Sequence, residues 1–280
     1  MRRYWLRVGD AATGVVLLVI GIATGVALLL PTLVVIIASF TNTAYLSFPP
    51  EGISLRWYRA LLLSPEILRA GRVSLSVAGV ATMGSLAMGL ATAFPLVRGS
   101  FRGRDALLAF TLAPLMLPSV VLGIALLFFF GFLGIRLSFV TLVLSHILIT
   151  FPYVTRTCTA ALFHADPALE EAGVGLGASR WQTLCHVTLP LLLPGLTVGA
   201  GFAFIESFDN LALSIFVAGQ RQETLPMRLF QLLITDIDPV VAAVATVLVA
   251  GSFLLLFLVT RLAGFRQLVS AFGGPQKPAR

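Results

Sequence analysis

The chain has 280 residues, 58% of them hydrophobic and only 11% charged, with a mean hydropathy of +0.98. A soluble domain carries about a quarter charged residues, so disorder, a secreted disulfide scaffold and a water-soluble catalytic domain are excluded. The net charge of +7 does not mark a nucleic-acid binder, because the basic residues stand singly in short polar gaps instead of forming one basic face.

About 20 apolar residues cross a bilayer as a helix. The first run, 11–40, follows Met1-Arg2-Arg3-Tyr4-Trp5-Leu6-Arg7. It is longer than the roughly 7–15 residues of a signal-peptide core, so it predicts a retained crossing. In the outer segment 41–70, Phe48-Pro49-Pro50 is expected to stop that helix. Leu55 to Leu63 then predicts a short interfacial helix, with Trp57 and Tyr58 at headgroup level. A docking surface for an outer partner is the alternative for the same stretch. Further runs at 72–97, 106–130, 138–160, 191–217 and 239–263 bring the total to six crossings. The fold class is therefore all-α, a polytopic membrane protein with six transmembrane helices. Gly21 and Gly25, and Ala81, Ser85 and Gly89, form small-residue stripes that let helices approach closely in lipid.

Basic residues orient the chain. With the N-terminus inside, the inner segments hold Arg2, Arg3, Arg7, Arg98, Arg102, Arg104, Arg156, Arg180, Arg261, Arg266, Lys277 and Arg280. Against Asp10, Asp105, Asp166, Glu170 and Glu171 they leave the whole +7 on the inner face, and the remainder of the chain nets zero. Both termini are expected to be cytoplasmic.

The longest inner loop is 162–190. Asp166 is a plausible N-cap with Pro167 in the first turn, and Gly175 and Gly177 end the short helix that follows. A second short helix from Ser179 to Val187 leads through Leu189-Pro190 into the fifth crossing. Along this loop Glu171-Ala172-Gly173 is followed after three residues by Gly177. Nine residues further comes Val187, then one residue, then Leu189-Pro190. This spacing resembles the EAA loop of ABC-importer permeases, with Gly173 in place of the second alanine and Val187 in place of isoleucine.

The resemblance implies that this is a coupling helix docking on a separate ATP-hydrolysing subunit. By it, Glu170, Glu171, Ala172, Gly173, Gly177, Val187, Leu189 and Pro190 form the coupling set, Glu171 making the polar contact and Gly177 the corner. The chain itself lacks a phosphate-binding P-loop, whose motif needs a lysine after glycine. Its only lysine, Lys277, lies between Gln276 and Pro278. ATP and Mg are accordingly expected on the partner, with no cofactor and no metal on this chain. The resemblance further implies a second permease subunit, related but different, an extracytoplasmic solute-binding protein, and a place in a bacterial cytoplasmic membrane.

Charged groups inside a membrane are functional candidates by default. Glu206 and Asp209 are three residues apart and share a face of the fifth crossing, Glu206 lying about 24 Å along the helix from Pro190. Two carboxylates among Phe202, Phe204 and Phe208 suit an amine cation, the rings adding cation–π contacts. Phe202, Glu206, Phe208, Asp209, Asn210 and Ser214 are the candidate path residues. The alternative, two acids solvated at the outer interface, stays open at this point.

Ser207-Phe208-Asp209, Leu213-Ser214-Ile215-Phe216, Thr224-Leu225-Pro226 and Ile237-Asp238-Pro239 with Ala242-Ala243-Val244 resemble the spermidine/putrescine branch of these permeases. That resemblance implies a polyamine-like cargo carried by alternating access. The same machine with an amino-acid-like, phosphonate, thiamine or ferric-iron cargo is the alternative, and an ion-coupled secondary transporter a more distant one. His146, His164 and His186 lie on separate segments in no metal-binding pattern, and His146 with Ser145 reads as a helix–helix hydrogen bond. Cys158 and Cys185 read as small semi-buried side chains.

Overall fold

The computed structural model describes residues 2–235 and 238–263, with side chains from residue 13 to residue 261. Asp236, Ile237, Arg266, Lys277 and Arg280 lie outside the described residues, as do the side chains of Arg2, Arg3, Arg7 and Asp10. Every regular element described is helical. The described residues divide into two compact units, one of 2–64 with 232–235 and 238–249, the other of 65–231 with 250–263.

In the first unit, α1 (Arg2–Ala38) contains an apolar span from Thr13 to Ala38 in which only the last residue, Ala38, is buried. Gly21 and Gly25 accordingly have nothing within 4 Å of an added Cβ, so this stripe packs against nothing described. The helix ends at Ala38, ten residues before Phe48-Pro49-Pro50, which therefore do not stop it. Tight turns from Phe40 to Ile37 and from Thr41 to Ala38 do so instead, and the Ser39 hydroxyl donates to the Ile36 carbonyl. The short helix α2 (Arg56–Leu63) folds back onto this end. Tyr58 places its hydroxyl 2.6 Å from Ser39 Oγ and its ring 5.3 Å from Phe40. Tyr58 is thus a packing residue, while the Arg56 guanidinium lies 4.4 Å over the Trp57 ring. Ile53, Leu55, Leu62 and Leu63 are left exposed.

The second unit is built on three helices: α3 (Pro65–Arg98), α6 (Phe139–His164) and α9 (Leu189–Asp209). Their closeness has a local cause. A Cβ on Gly89 of α3 would stand 2.7 Å from Val154 Cβ and 2.9 Å from the Thr155 backbone nitrogen. One on Gly199 of α9 would run into Thr157 Oγ1 and stand 3.1 Å from Val154 Cα. Two bare glycines therefore let α3 and α9 press on the same stretch of α6. Buried Ala81 and Ser85 continue the α3 stripe, and Ser85 Oγ lies 2.7 Å from Thr150 Oγ1 of α6. Cys158 is buried in this packing, and both cysteines are free thiols.

Two apolar runs are broken. The stretch 106–130, expected as one helix, is α4 (Arg104–Met116) and α5 (Ser119–Phe132), bent by 105°. Pro118 is the cause: it forces the preceding residue out of the helical region, and Leu117 is extended at φ −95°, ψ 137°. The described spans therefore number five, or six if this bent pair counts as one.

The run 191–217 also divides, at Asn210, into α9 and α10 (Leu211–Val217). At its other end α9 starts earlier than expected. Helix α8 (Arg180–Thr183) runs into it through a π-helical turn, Leu184–Thr188, giving one 30-residue span from Arg180 to Asp209. Pro190 has no N–H to return to the His186 carbonyl and its ring crowds that group, which the wider turn relieves. Finally, α7 (Pro167–Gly175), α11 (Leu225–Thr235) and α12 (Val240–Ala263) complete the chain, α11 being unanticipated. Ser74 Oγ accepts the Leu225 N–H at 2.8 Å, and Arg228 pairs with Glu66.

Gly89→Val and Gly199→Val should each destabilise the bundle by about 1–3 kcal/mol through overpacking. Gly21→Val, made where nothing is near, should leave stability unchanged. Thermal unfolding in detergent, followed by size-exclusion chromatography, reads the difference.

Candidate functional site

The loop between α6 and α9 builds its own shape. Asp166 caps α7, its carboxylate accepting from the Ala168 N–H at 3.0 Å, with Pro167 opening the helix. At the other end Gly177, at φ +90°, takes the left-handed conformation. The Gly177 N–H then donates to the Val174 carbonyl at 2.9 Å and the Ala178 N–H to the Gly173 carbonyl at 3.1 Å, closing the helix end. Ser179 and Gln182 form a reciprocal capping box that starts α8. An added Cβ on Gly173 would lie 3.5 Å from Thr183 and 3.7 Å from Val187, ordinary contact distances. The two arms of the loop therefore touch where Gly173 meets Val187, with room for the methyl group that an alanine brings.

The acids of this loop separate in role. Glu170 is turned inward and pairs with Arg98 at 3.3 Å, and Arg98 also donates to the Ala165 carbonyl at 3.0 Å. Glu171 and Ala172 are exposed, while Leu189 is half-buried and Pro190 exposed at the start of α9. Around the corner stand exposed apolar side chains: Leu176 at 90%, Trp181 at 71% and Val174 at 52%. A free apolar patch on a structured loop marks an interaction surface.

The second region is the break between α9 and α10. Asn210 leaves the helix at φ −75°, ψ 92°, and its side-chain oxygen caps α10 by accepting from the Leu213 N–H at 2.9 Å. Its amide nitrogen donates to Glu206 Oε1 at 3.1 Å. Tyr153 of α6 donates to the other Glu206 oxygen at 3.4 Å. Ile205, Glu206, Asp209, Asn210, Leu211 and Ala212 line a cavity of about 330 Å³ here, and none of them is basic.

The structure brings Glu206, Asp209 and Asn210 together and leaves the other candidates aside. Phe202 stacks on Tyr153 with centroids 6.3 Å apart, Phe208 stacks on Phe204 at 5.9 Å, and neither lines the cavity. Ser214 is fully buried. His146, read with Ser145 as a helix–helix hydrogen bond, makes two of them, to Ser207 Oγ of α9 at 2.8 Å and Ser214 Oγ of α10 at 3.0 Å. Ser145 turns to the Thr141 carbonyl of its own helix. Tyr153 was not legible as a site residue, because it reaches Glu206 from a helix some 50 positions away in the chain. Among the described residues no group of three or more His, Cys, Asp or Glu side chains forms a metal site.

Among the described residues the body is all-helical and has five or six helices long and apolar enough to cross a membrane, the architecture of a polytopic membrane protein. Residues 85–265 match the family of binding-protein-dependent transport system inner membrane components, and the chain belongs to that family. It is 34% identical over 232 residues to the spermidine/putrescine transport system permease protein PotC of Haemophilus influenzae, covering 82% of this chain and 90% of the relative. It is 32% identical over 220 residues to the sulfate transport system permease protein CysT of Escherichia coli, covering 73% and 79%. A bacterial ABC transporter importing the acidic polysaccharide alginate contains a chain of the same fold, with a TM-score of 0.69 at 16% identity over 98% of this chain and all of that one. The protein is thus a permease subunit of an ABC importer, a multi-pass protein of a bacterial inner membrane. It transports and is not an enzyme.

Gly177→Ala should strain the corner by about 1–2 kcal/mol, since a Cβ is disfavoured at positive φ. Gly173→Ala should be neutral or stabilising by about 0.5–1 kcal/mol. Amide hydrogen exchange at residues 176–178 separates the two, accelerating in the first variant and unchanged or slower in the second.

Proposed function

We propose that this permease imports a polyamine-like cation, and that Glu206 and Asp209 form its station within the membrane. The observation that carries this reading is the cavity at the α9–α10 break, where two carboxylates stand with no basic side chain among the lining residues. Relatives of similar identity are named for spermidine/putrescine and for sulfate. The electrostatics supports the amine, because a dianion gains nothing from two carboxylates and an amine is attracted by both. Phe202 acts on the station through Tyr153, which it stacks against, and Phe208 plays no direct part.

In the assembled importer the 166–190 loop docks on an ATP-hydrolysing subunit, which holds ATP and Mg. The exposed Leu176, Val174 and Trp181, with Glu171 and Ala172 beside them, form the contact surface. Glu170 positions the loop through Arg98. Gly173, Gly177, Val187, Leu189 and Pro190 hold its shape. A related second permease chain completes the path, and a solute-binding protein delivers cargo on the outer side. Both termini face the cytoplasm, as the distribution of arginine suggests. Closure of the ATPase moves the loop, and the bundle alternates between outward and inward access.

Two measurements test this. In proteoliposomes containing the whole importer, Glu206→Gln and Asp209→Asn should each lower ATP-driven spermidine uptake roughly tenfold or more, the scale of losing one partner of a desolvated charge pair. Sulfate should not be taken up by the unaltered complex; sulfate uptake, or full spermidine uptake by both variants, removes the cation assignment. Separately, Leu176→Glu should weaken co-purification of the ATPase roughly 30-fold, as expected of a buried interface anchor. An intact complex would place the docking surface elsewhere.

A further inference from the structure

The hydrogen bonds around His146 run in one direction, and that direction can be worked out from proton counting. Ser214 has one hydroxyl proton, and it donates that proton to the Asn210 carbonyl at 2.5 Å. Its Oγ, 3.0 Å from His146 Nε2, can therefore only accept there. Nε2 must carry the imidazole proton. In a neutral ring the other nitrogen, Nδ1, is then an acceptor, and the hydroxyl 2.8 Å away, Ser207 Oγ, must be its donor. His146, Ser207 and Ser214 are buried to 1%, 3% and 0% exposure, so no solvent competes for these bonds.

The ring lies across the place where the helix is interrupted. Ser207 belongs to the last turn of α9 and Ser214 to α10, with Asn210 between them. One imidazole on α6 thus holds both sides of the break at a fixed separation. From Ser214 the chain of donors continues through the Asn210 carbonyl to the residue whose amide nitrogen donates to Glu206 Oε1. We infer that His146, as the neutral Nε2–H tautomer, is a positioning residue for the Glu206 carboxylate. It clamps the α9–α10 break and so fixes the orientation in which Asn210 presents that acid to the cavity. The inference rests on the cation-station reading for its transport consequence, while the tautomer and the clamp stand on geometry alone.

Hydrogen-bond networks are apportioned by double-mutant cycles. In proteoliposomes of the complete importer, His146→Leu and Glu206→Gln should each lower spermidine uptake, and the double variant should be no worse than the more damaged single. If instead the double loses the product of the two factors, roughly a hundredfold where each single loses tenfold, the two residues act independently and the clamp is overturned. His146→Gln, which keeps a donor and an acceptor, should recover part of the uptake; recovery by leucine and not by glutamine would also overturn it. Should His146→Leu fail to insert, Ser207→Ala removes one donor alone and enters the same cycle.

Nitrogen NMR of the imidazole in the histidine-labelled complex supplies a readout that transport does not touch. The expected result is a protonated Nε2 and an unprotonated Nδ1, and the reverse tautomer or an imidazolium would overturn the assignment. If Glu206→Gln transports normally while the tautomer is as expected, the cargo station fails and the clamp across the break survives.

Discussion

A peptide group in hydrocarbon has no water to turn to, and this constraint shapes the break between α9 and α10. Where a membrane helix stops, the freed N–H and C=O groups must be met from inside the protein. At the α9–α10 break the Asn210 side chain accepts the Leu213 N–H and the Ser214 hydroxyl donates to the Asn210 carbonyl. An interruption that costs this many private hydrogen bonds persists only if something is gained. Here the gain is an acid held by two donors and facing open space.

The same accounting explains why some features could be read along the chain and others could not. Apolar runs announce helices because lipid makes no demand on periodicity, so the stretches of α1, α3, α6 and α12 stand out from hydropathy alone. The shape of the 166–190 loop was legible because its capping residues are neighbours in sequence: Asp166, Gly177 and Ser179 each act within four positions. The breaks were less so. Pro118 lies in an apolar run whose hydropathy never falls, and only its effect on Leu117 divides the helix. Asn210 looks in sequence like one more polar residue beside Asp209, until its side chain is seen capping a new helix.

Of the acid site, the carboxylates themselves were visible and their surroundings were not. Phe204 and Phe208, two positions either side of Glu206, project from another part of the helix and stack on each other, whereas Phe202, four positions before it, shares its face and stacks on Tyr153. Tyr153, which reaches Glu206, and His146, which reaches Ser207 and Ser214 across the break, both belong to α6, against which the glycines of α3 and α9 let those helices pack. Likewise Glu170 and Glu171 are adjacent in sequence, yet one binds Arg98 within the chain and the other remains exposed. Membership of a motif says which residues cluster; it does not say which of them face outward.

The unbroken passage from α8 through the π turn into α9 has a mechanical consequence. From Arg180 to Asp209 the backbone is a single rod of 30 residues, about 45 Å long, with Trp181 near one tip and Glu206 near the other. No loop intervenes to absorb a push. A tilt imposed at the tryptophan end arrives at the carboxylate end as a displacement, geared by wherever α6 serves as fulcrum. The glycine contacts at Gly195 and Gly199, on that rod against Ala161 and Thr157, lie between the two tips and set the pivot.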